Sequence, residues 1–515
     1  MTIKEGSIKF VITGLLLAIL MSAMDNTIVA TAMGTIVGDL GGYNQFVWVT
    51  SAYMVATMAG MPIFGKLSDM YGRKRFFVFG LVFFLLGSML CGISQNIVEL
   101  SIFRAIQGIG GGALMPIAFT IVFDIFPPER RGKMTALLGA TFGAASVLGP
   151  LLGAYITEYI SWHWVFYVNV PIGVVSLLLI LRHYQESPVH SKQTIDWWGA
   201  VTLVVSVVSL MFALELGGKE LAWSSVPILA LFASFAVFLA AFFWIERKAE
   251  EPIISFWLFR KRLFAYSQVL ALLYGATFII LTVYIPIYVQ AVYGGSATSA
   301  GLILTPMMLG SVAGSAIGGV FQTKTSFRNL MIVSVIAFIA GMFLLSTLTP
   351  DTQRIFLTLY MTLAGFGTGF SFSLLPTAST HKLEPRYRGT ANSTNSFLRS
   401  LGMTLGVTLF GTIQNRAFLT NLTEQFKGMS GGQGTSGAGN GGMPFQVDDV
   451  RTLFTDTERA KIPPLILEKI VQAMSSSITH IFLLALVPLA LAALAVAFMG
   501  HERVQAGPQA EPSAD

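Results

Sequence analysis

Residues Leu15 to Met33 read LLLAILMSAMDNTIVATAM, an apolar stretch of helix length with an acid, Asp25, inside it. Moving an ionised Asp to the centre of a bilayer costs about 2.5–3.5 kcal/mol on insertion scales. An acid kept there is usually kept for a use. A carboxyl withdrawn from water favours its neutral form, so it can bind and release protons near neutral pH. Asn26 and Thr27 follow directly and can hydrogen-bond a substrate or hold the acid. In a second apolar stretch, Arg104 and Gln107 lie three apart, on one helix face. Asp25 lies roughly 22 Å along its helix at 1.5 Å per residue, and Arg104 about two turns from the end of its own. Those depths leave three arrangements open: a direct pair, coupling through Gln107 or a water, or Arg104 snorkelling to the headgroups.

Other spacings also carry chemistry. Asp69 and Arg73 are four apart with opposite charge, as a bonded helical pair would be. Gly65 and Gly72 beside them permit tight turning and close helix approach. Asp124 ends the stretch that holds Arg104. Asn392, Asn395 and Arg399 recur at helical spacing in another apolar run, where an Arg needs a partner or a cavity. Their polar face suggests a cavity wall in the second half of the chain. Trp48, Tyr53, Tyr284, Tyr288 and Met307 have the aromatic and thioether side chains that promiscuous pockets favour. Such residues are, taken singly, more often plain core or lipid-facing.

These residues need apolar helices to position them. The chain has 515 residues, 54% hydrophobic and 11% charged, with mean hydropathy +0.69. Soluble domains run near 25% charged. Apolar runs of about 20 residues recur from end to end, which marks an all-α polytopic membrane protein. The ~10-residue alternating segments of a β-barrel are not the pattern. The first run lacks a small-residue cleavage site and continues as a full span, so no cleavable signal peptide is expected. Cys91, the one cysteine, rules out an internal disulfide.

Counting runs predicts 14 transmembrane helices, near 10–34, 46–66, 76–95, 98–123, 135–157, 163–183, 196–216, 225–246, 264–291, 298–320, 329–348, 353–377, 391–413 and 474–499. With the N-terminus inside, 22 of the 32 Lys and Arg fall on cytoplasmic connections such as GRKR, PPERRGK and FRKR. Both termini are therefore expected in the cytoplasm, and the pI near 9.3 needs no nucleic acid to explain it. PPERRGKMTALLGATFGAASVLG from Pro127 and EPRYRGTANSTNSFLRSLGMTLG from Glu384 form an internal repeat, with Arg131-Gly132 matching Arg388-Gly389. The chain divides into a six-helix half at 1–185, two inserted helices with linkers at 186–262, and a six-helix half at 263–500, then a tail at 501–515. Two parallel halves around a midplane site are a transporter plan. The 414–473 loop, extracellular by parity, contains a Gly/Ser linker and reads as a tether or as a cap over the outer mouth.

Four segments resemble one family. GKLSDMYGRKR (65–75) is similar to the signature loop of the major facilitator superfamily, and IFRAIQGIGGG (102–112) to its fourth-helix motif. SVLGPLLGA (146–154), after Gly139 and Gly143, resembles the fifth-helix motif of antiporter-type exporters. MDNTIVATAM (24–33) and SWHWVFYVNVPIG (161–173) resemble the 14-helix drug:proton antiporter branch, most like the multidrug efflux proteins of Gram-positive bacteria. The resemblance covers essentially the whole chain. It implies a major facilitator fold of 6 + 2 + 6 helices in a bacterial cell membrane, exporting lipophilic drugs against protons. It implies proton coupling by Asp25 with Arg104, and a cytoplasmic gate in which Asp124 bonds Arg73 beside Asp69. The antiporter motif falls on Gly143, Gly149, Pro150 and Gly153.

Two departures matter. Spans ten and twelve carry no acid, which argues for monovalent cationic or neutral substrates. The second signature loop is degenerate, with Gln322 near where an acid would sit, so the inner latch is expected to be asymmetric. A nutrient symporter or uniporter on the same fold is the alternative, since fold fixes neither direction nor substrate. An enzyme is not expected. The six histidines (163, 183, 190, 381, 480, 501) are scattered, no GKS/GKT loop exists, and neither metal nor cofactor is called for. The expected partners are small lipophilic molecules, protons and membrane lipid, and the protein is expected as a monomer.

Overall fold

In a bilayer the backbone must satisfy its own hydrogen bonds, so each apolar run folds as α-helix. The computed structural model describes residues 5–41, 47–186, 195–218, 221–294, 303–426 and 463–504. The helices are α1 (Glu5–Leu40), α2 (Val47–Tyr71), α3 (Arg73–Cys91), α4 (Ile97–Ile125), α5 (Pro128–Tyr159), α6 (Trp164–His183), α7 (Trp197–Leu216) and α8 (Val226–Glu246). The rest are α9 (Arg262–Ala291), α10 (Leu304–Phe321), α11 (Phe327–Ser346), α12 (Arg354–Thr380), α13 (Arg388–Phe426) and α14 (Pro464–Phe498). Thirteen are long and apolar enough to cross a membrane. The other, α2, is more polar, yet its 25 residues span about 37 Å and pack inside the bundle. Short breaks at Val168 in α6 and Ala485 in α14 precede Pro171 and Pro488, which cannot donate to the carbonyl four residues back.

The packing repeats along the chain, as the internal repeat requires. α1 lies on α5, and α2 and α3 on α4; likewise α9 lies on α13, and α10 and α11 on α12. Across the halves, α2 and α4 meet α13, while α10 and α12 meet α5. The inserted pair, α7 and α8, packs on α2 through Leu203, Val207, Met211 and Phe242 against Val55, Met58 and Met61. Its outer helix α8 is little buried and offers its apolar surface to lipid.

The helices differ from the apolar runs mainly at their ends. α13 continues to Phe426 and α14 begins at Pro464, so both ends of the expected 414–473 loop are helix. Residues 427–462, including the Gly/Ser linker, lie outside the described residues, as does the tail from 505. The added turns are amphipathic and stay paired: Lys469 donates to the Gln425 carbonyl at 2.5 Å, and Gln414 to Ser477 Oγ at 3.1 Å. Counting apolar residues misses helix that leaves the membrane already paired.

Candidate functional site

The buried charge centre is assembled from α1, α3, α4 and α6. Asp25, Ser88, Arg104, Gln107 and Asn169 are all fully buried. Arg104 Nη1 ion-pairs with Asp25 Oδ2 in a short contact and also donates to Gln107 Oε1 at 2.7 Å. Asp25 Oδ1 accepts from Gln107 Nε2 at 2.8 Å and from Asn169 Nδ2 at 2.9 Å. Both amides also donate to Ser88 Oγ, at 3.3 and 3.0 Å, and Ser88 donates to the Phe166 carbonyl at 2.8 Å. Arg104 Nε reaches the Val49 carbonyl at 3.3 Å, and the guanidinium lies 4.1 Å over the Tyr53 ring. Of the three arrangements open from the sequence, the direct pair is the one present, with Gln107 bonded to both members. Asn169 and Ser88 were not singled out from sequence. An Asn alone in the apolar run 163–183 was the available signal; a Ser among many was none.

Small residues bring α1 into place. A methyl group at Gly149 would overlap the Thr27 side chain, and one at Gly153 the Thr31 side chain. α1 therefore lies directly on α5. Thr27 and Thr31 bond back to the carbonyls of Met24 and Ile28, at 2.9 and 2.8 Å. Gly143, by contrast, makes ordinary contact with Met308 across the halves.

A second charge cluster joins the halves at one end. Arg73 is bonded to Asp69 at 3.1 Å, pairs closely with Asp124, and donates to the Pro385 carbonyl at 2.6 Å. Arg388 reaches Asp124 at 3.1 Å. Asp69 accepts from the backbone N–H of Gly389 at 2.9 Å and of Thr390 at 2.7 Å, and from Thr390 Oγ1 at 3.2 Å. A carboxylate of the first half thus caps the first turn of α13, where amides are unpaired and the helix dipole favours negative charge. The helices can approach because position 65 is Gly: a side chain there would overlap Ser393 and the Gly389 carbonyl. Gly72, at φ +111°, makes the sharp turn from α2 to α3. Nearby, burial lowers the His381 pKa below its ordinary range against the opposing pull of Glu502, so Lys382, at 3.0 Å, carries the charge contact to Glu502.

The symmetry-related junction, α10 on α5, brings Gly319 against Gly132 equally closely. There the residue in Asp69's role is Gln322, fully buried, with neither amide atom bonded among the described residues. Bonds between the halves gather at this closed end, including Asn392 Nδ2 to Thr120 Oγ1 at 3.1 Å and Ser400 Oγ to Met61 Sδ at 3.8 Å. Toward the other end of α1, side chains at Gly34 and Gly38 would meet nothing, and Asn26 is exposed. Among the described residues, the bonds between the halves hold the 65–75 end closed.

The remaining sequence candidates are dispersed. Trp48 packs on Phe212 of the insert, with ring centroids 5.0 Å apart. Tyr284, Tyr288 and Met307 are buried within the second half, where Tyr288 meets Ser475 Oγ at 3.2 Å. Asn395 reaches Gln268 Oε1 at 3.3 Å. Arg399 is held by Ser371. Among the described residues, no three His, Cys, Asp or Glu gather as a metal site.

Comparison with known proteins adds to this geometry. Residues 15–245 and 195–407 match the family model described as Major Facilitator Superfamily. The chain is 67% identical over 504 residues to "Multidrug resistance protein 3" of Bacillus subtilis, covering 98% of the chain and 97% of the relative. It is 37% identical to "Multidrug transporter protein MdtP" of the same organism, over 82% of the chain and 78% of the relative. Among solved structures, the proton:xylose symporter XylE superposes with TM-score 0.62 over 97% of each chain at 13% identity, a likeness of fold alone.

Proposed function

The chain belongs to the Major Facilitator Superfamily, a multi-pass protein of the cell membrane, and from that premise we propose that it is a proton-coupled multidrug efflux antiporter. Its substrates are lipophilic and carry at most one net positive charge. The relatives named for multidrug resistance and transport support the drug class. The observation that carries the proton reading is the Asp25–Arg104 pair, fully buried and linked through Gln107, Asn169 and Ser88.

The cycle follows from that pair. Ionised, Asp25 holds Arg104 and accepts from two amides. A proton on the carboxyl cancels the charge that Arg104 answers, and one partner of a buried pair cannot lose its charge without cost to the other. The helices carrying them, α1 and α4, then shift relative to each other. The closed end, rich in Lys and Arg, faces the cytoplasm. The present geometry is thus the outward-open state, in which drug leaves and a proton enters. Breaking the Asp69 cap and the Arg73–Asp124–Arg388 cluster opens the inner side, as charge clusters at domain interfaces do when halves rock.

Everted membrane vesicles loaded under an imposed pH gradient test this. Wild type drives dye transport with the gradient, and Asp25→Asn abolishes the drive while still binding dye. Full gradient-driven transport by Asp25→Asn would overturn the assignment. Uptake of a nutrient down the proton gradient, in place of drug export, would favour a symporter on the same fold.

A further inference from the structure

Among the described residues two guanidinium groups are buried in the helices, and the protein treats them oppositely. Arg104 has a carboxylate. Arg399, on α13, donates from Nη1 to Ser371 Oγ at 3.2 Å and from Nη2 to the Ser371 carbonyl at 2.9 Å, and lies 4.5 Å over the Phe372 ring. Each partner is neutral, and among the described residues no acid pairs with it. A charge in a low-dielectric interior is costly unless something compensates it. These contacts fix the orientation of the guanidinium and leave its charge unanswered.

Its surroundings are aromatic and reach across the halves. Phe372 meets Phe278 at 5.6 Å between ring centroids and Phe142 of α5, in the other half, at 6.1 Å. Ser315 Oγ, buried and unbonded among the described residues, lies beside Gly139. Gly139 and Gly143 bring α5 against Phe372 and Met308, further along α5 than the Gly132 junction of the closed end. Arg399 itself keeps 9% of its surface exposed. Aromatic faces, an oriented hydroxyl and an unanswered cation together suit a flat apolar body bearing an acid.

We propose that Arg399 and Ser371 form a subsite for the carboxylate of a net-neutral, zwitterionic amphiphile, whose aromatic body rests on Phe372, Phe142 and Phe278. The proposal rests on the multidrug reading and deepens it, by naming the substrate's acidic group and the residue that receives it.

The test uses rhodamine B, a zwitterion with a free carboxylate, and its cationic methyl ester. Fluorescence anisotropy reads the binding of each to the full-length protein in lipid nanodiscs. Arg399→Gln is expected to weaken rhodamine B by about tenfold or more, the scale of a lost bond to a charged group, and the ester by less than about twofold. Ser371→Ala, which keeps the charge, weakens the acid dye by a smaller factor and serves if Arg399→Gln does not fold. Equal losses for both dyes, or none for the acid, overturn the subsite. So does displacement of rhodamine B by chloride at concentrations where gluconate is inert, which marks an inorganic anion site. Vesicle transport separates the two readings. If the wild type binds rhodamine B through Arg399 and exports neither dye, efflux fails and the subsite stands.

Discussion

Asp25 is held by side chains from two other helices, and each bond makes a separate prediction. Losing one member of a buried ion pair costs about 3–5 kcal/mol when the other stays charged. Asp25→Asn and Arg104→Gln are each expected to lower the thermal midpoint of the detergent-solubilised protein. The double variant should lose less than the sum, a coupling that a thermal melt of the four proteins reads directly. Additive losses would mean that the pair contributes nothing as a pair. Asn169→Ala removes one donor to the ionised acid and leaves Arg104 and Gln107 in place. The ionised acid then lacks one of its two amide donors, so gradient-driven efflux should fall by about tenfold, the scale of a lost bond to a charged group, while dye binding persists. Unchanged efflux would leave Asn169 a packing residue. Much of this centre was legible in the sequence, because acids, guanidiniums and amides are conspicuous in apolar runs. The direct contact was not, because depth was measured from the ends of each helix alone. α1 runs on to Leu40, well past the apolar run that ends near 34, so the ends of α1 and α4 are not a common reference plane. Ser88 was illegible for another reason: it acts only because α4 and α6 converge on it.

Among the elements, the two junctions between halves are built on the same close approach and differ by one group. At α2–α13, Asp69 caps a helix; at α10–α5, Gln322 stands unbonded among the described residues. A hydrogen bond to a charged group contributes about 1.5–3 kcal/mol, roughly a tenfold to 150-fold bias between states. Asp69→Asn should therefore shift the protein toward the inward-open state. Gln322→Glu should shift it the other way, by placing a carboxylate against Gly132 near the N-terminal end of α5. Gly389→Ala should act like Asp69→Asn, since its methyl group would overlap the Asp69 carboxylate and the Gly65 carbonyl. The readout is convenient: Cys91, the one native thiol, is buried, so labels go only to introduced cysteines. Spin labels at the exposed positions Arg75 and Lys382 should move apart in Asp69→Asn and Gly389→Ala. Unchanged distances in both would show that the closed end is held by something other than this cap. The acid-for-amide difference could be read from GKLSDMYGRKR against GGVFQTKTSFR. What Asp69 bonds could not, because its acceptors' partners are backbone amides some 320 residues away, and side-chain identity carries no trace of them.

At the scale of the molecule, the question is how many charges cross per cycle. Among the described residues, the first half carries one ion-paired acid at its core, and the facing half carries Arg399 without one. If one proton enters through Asp25 for each substrate that leaves, export of a monovalent cation moves no net charge. It feels only the pH gradient, about 1.4 kcal/mol per unit. Export of a net-neutral zwitterion moves one charge inward per cycle and gains about 2.3 kcal/mol per 100 mV. That is about a fiftyfold steeper limiting gradient. The two rhodamine dyes distinguish these cases in one preparation. With the pH gradient held and the voltage clamped to zero by potassium and valinomycin, accumulation of the methyl ester in everted vesicles should be unchanged, while that of rhodamine B should fall. Sensitivity of the methyl ester to voltage would require more than one proton per cycle, since n protons against a monovalent cation move n−1 charges. Asp25 could not then be the sole coupling group, and the second proton would need a carrier in a half whose buried charge is already positive.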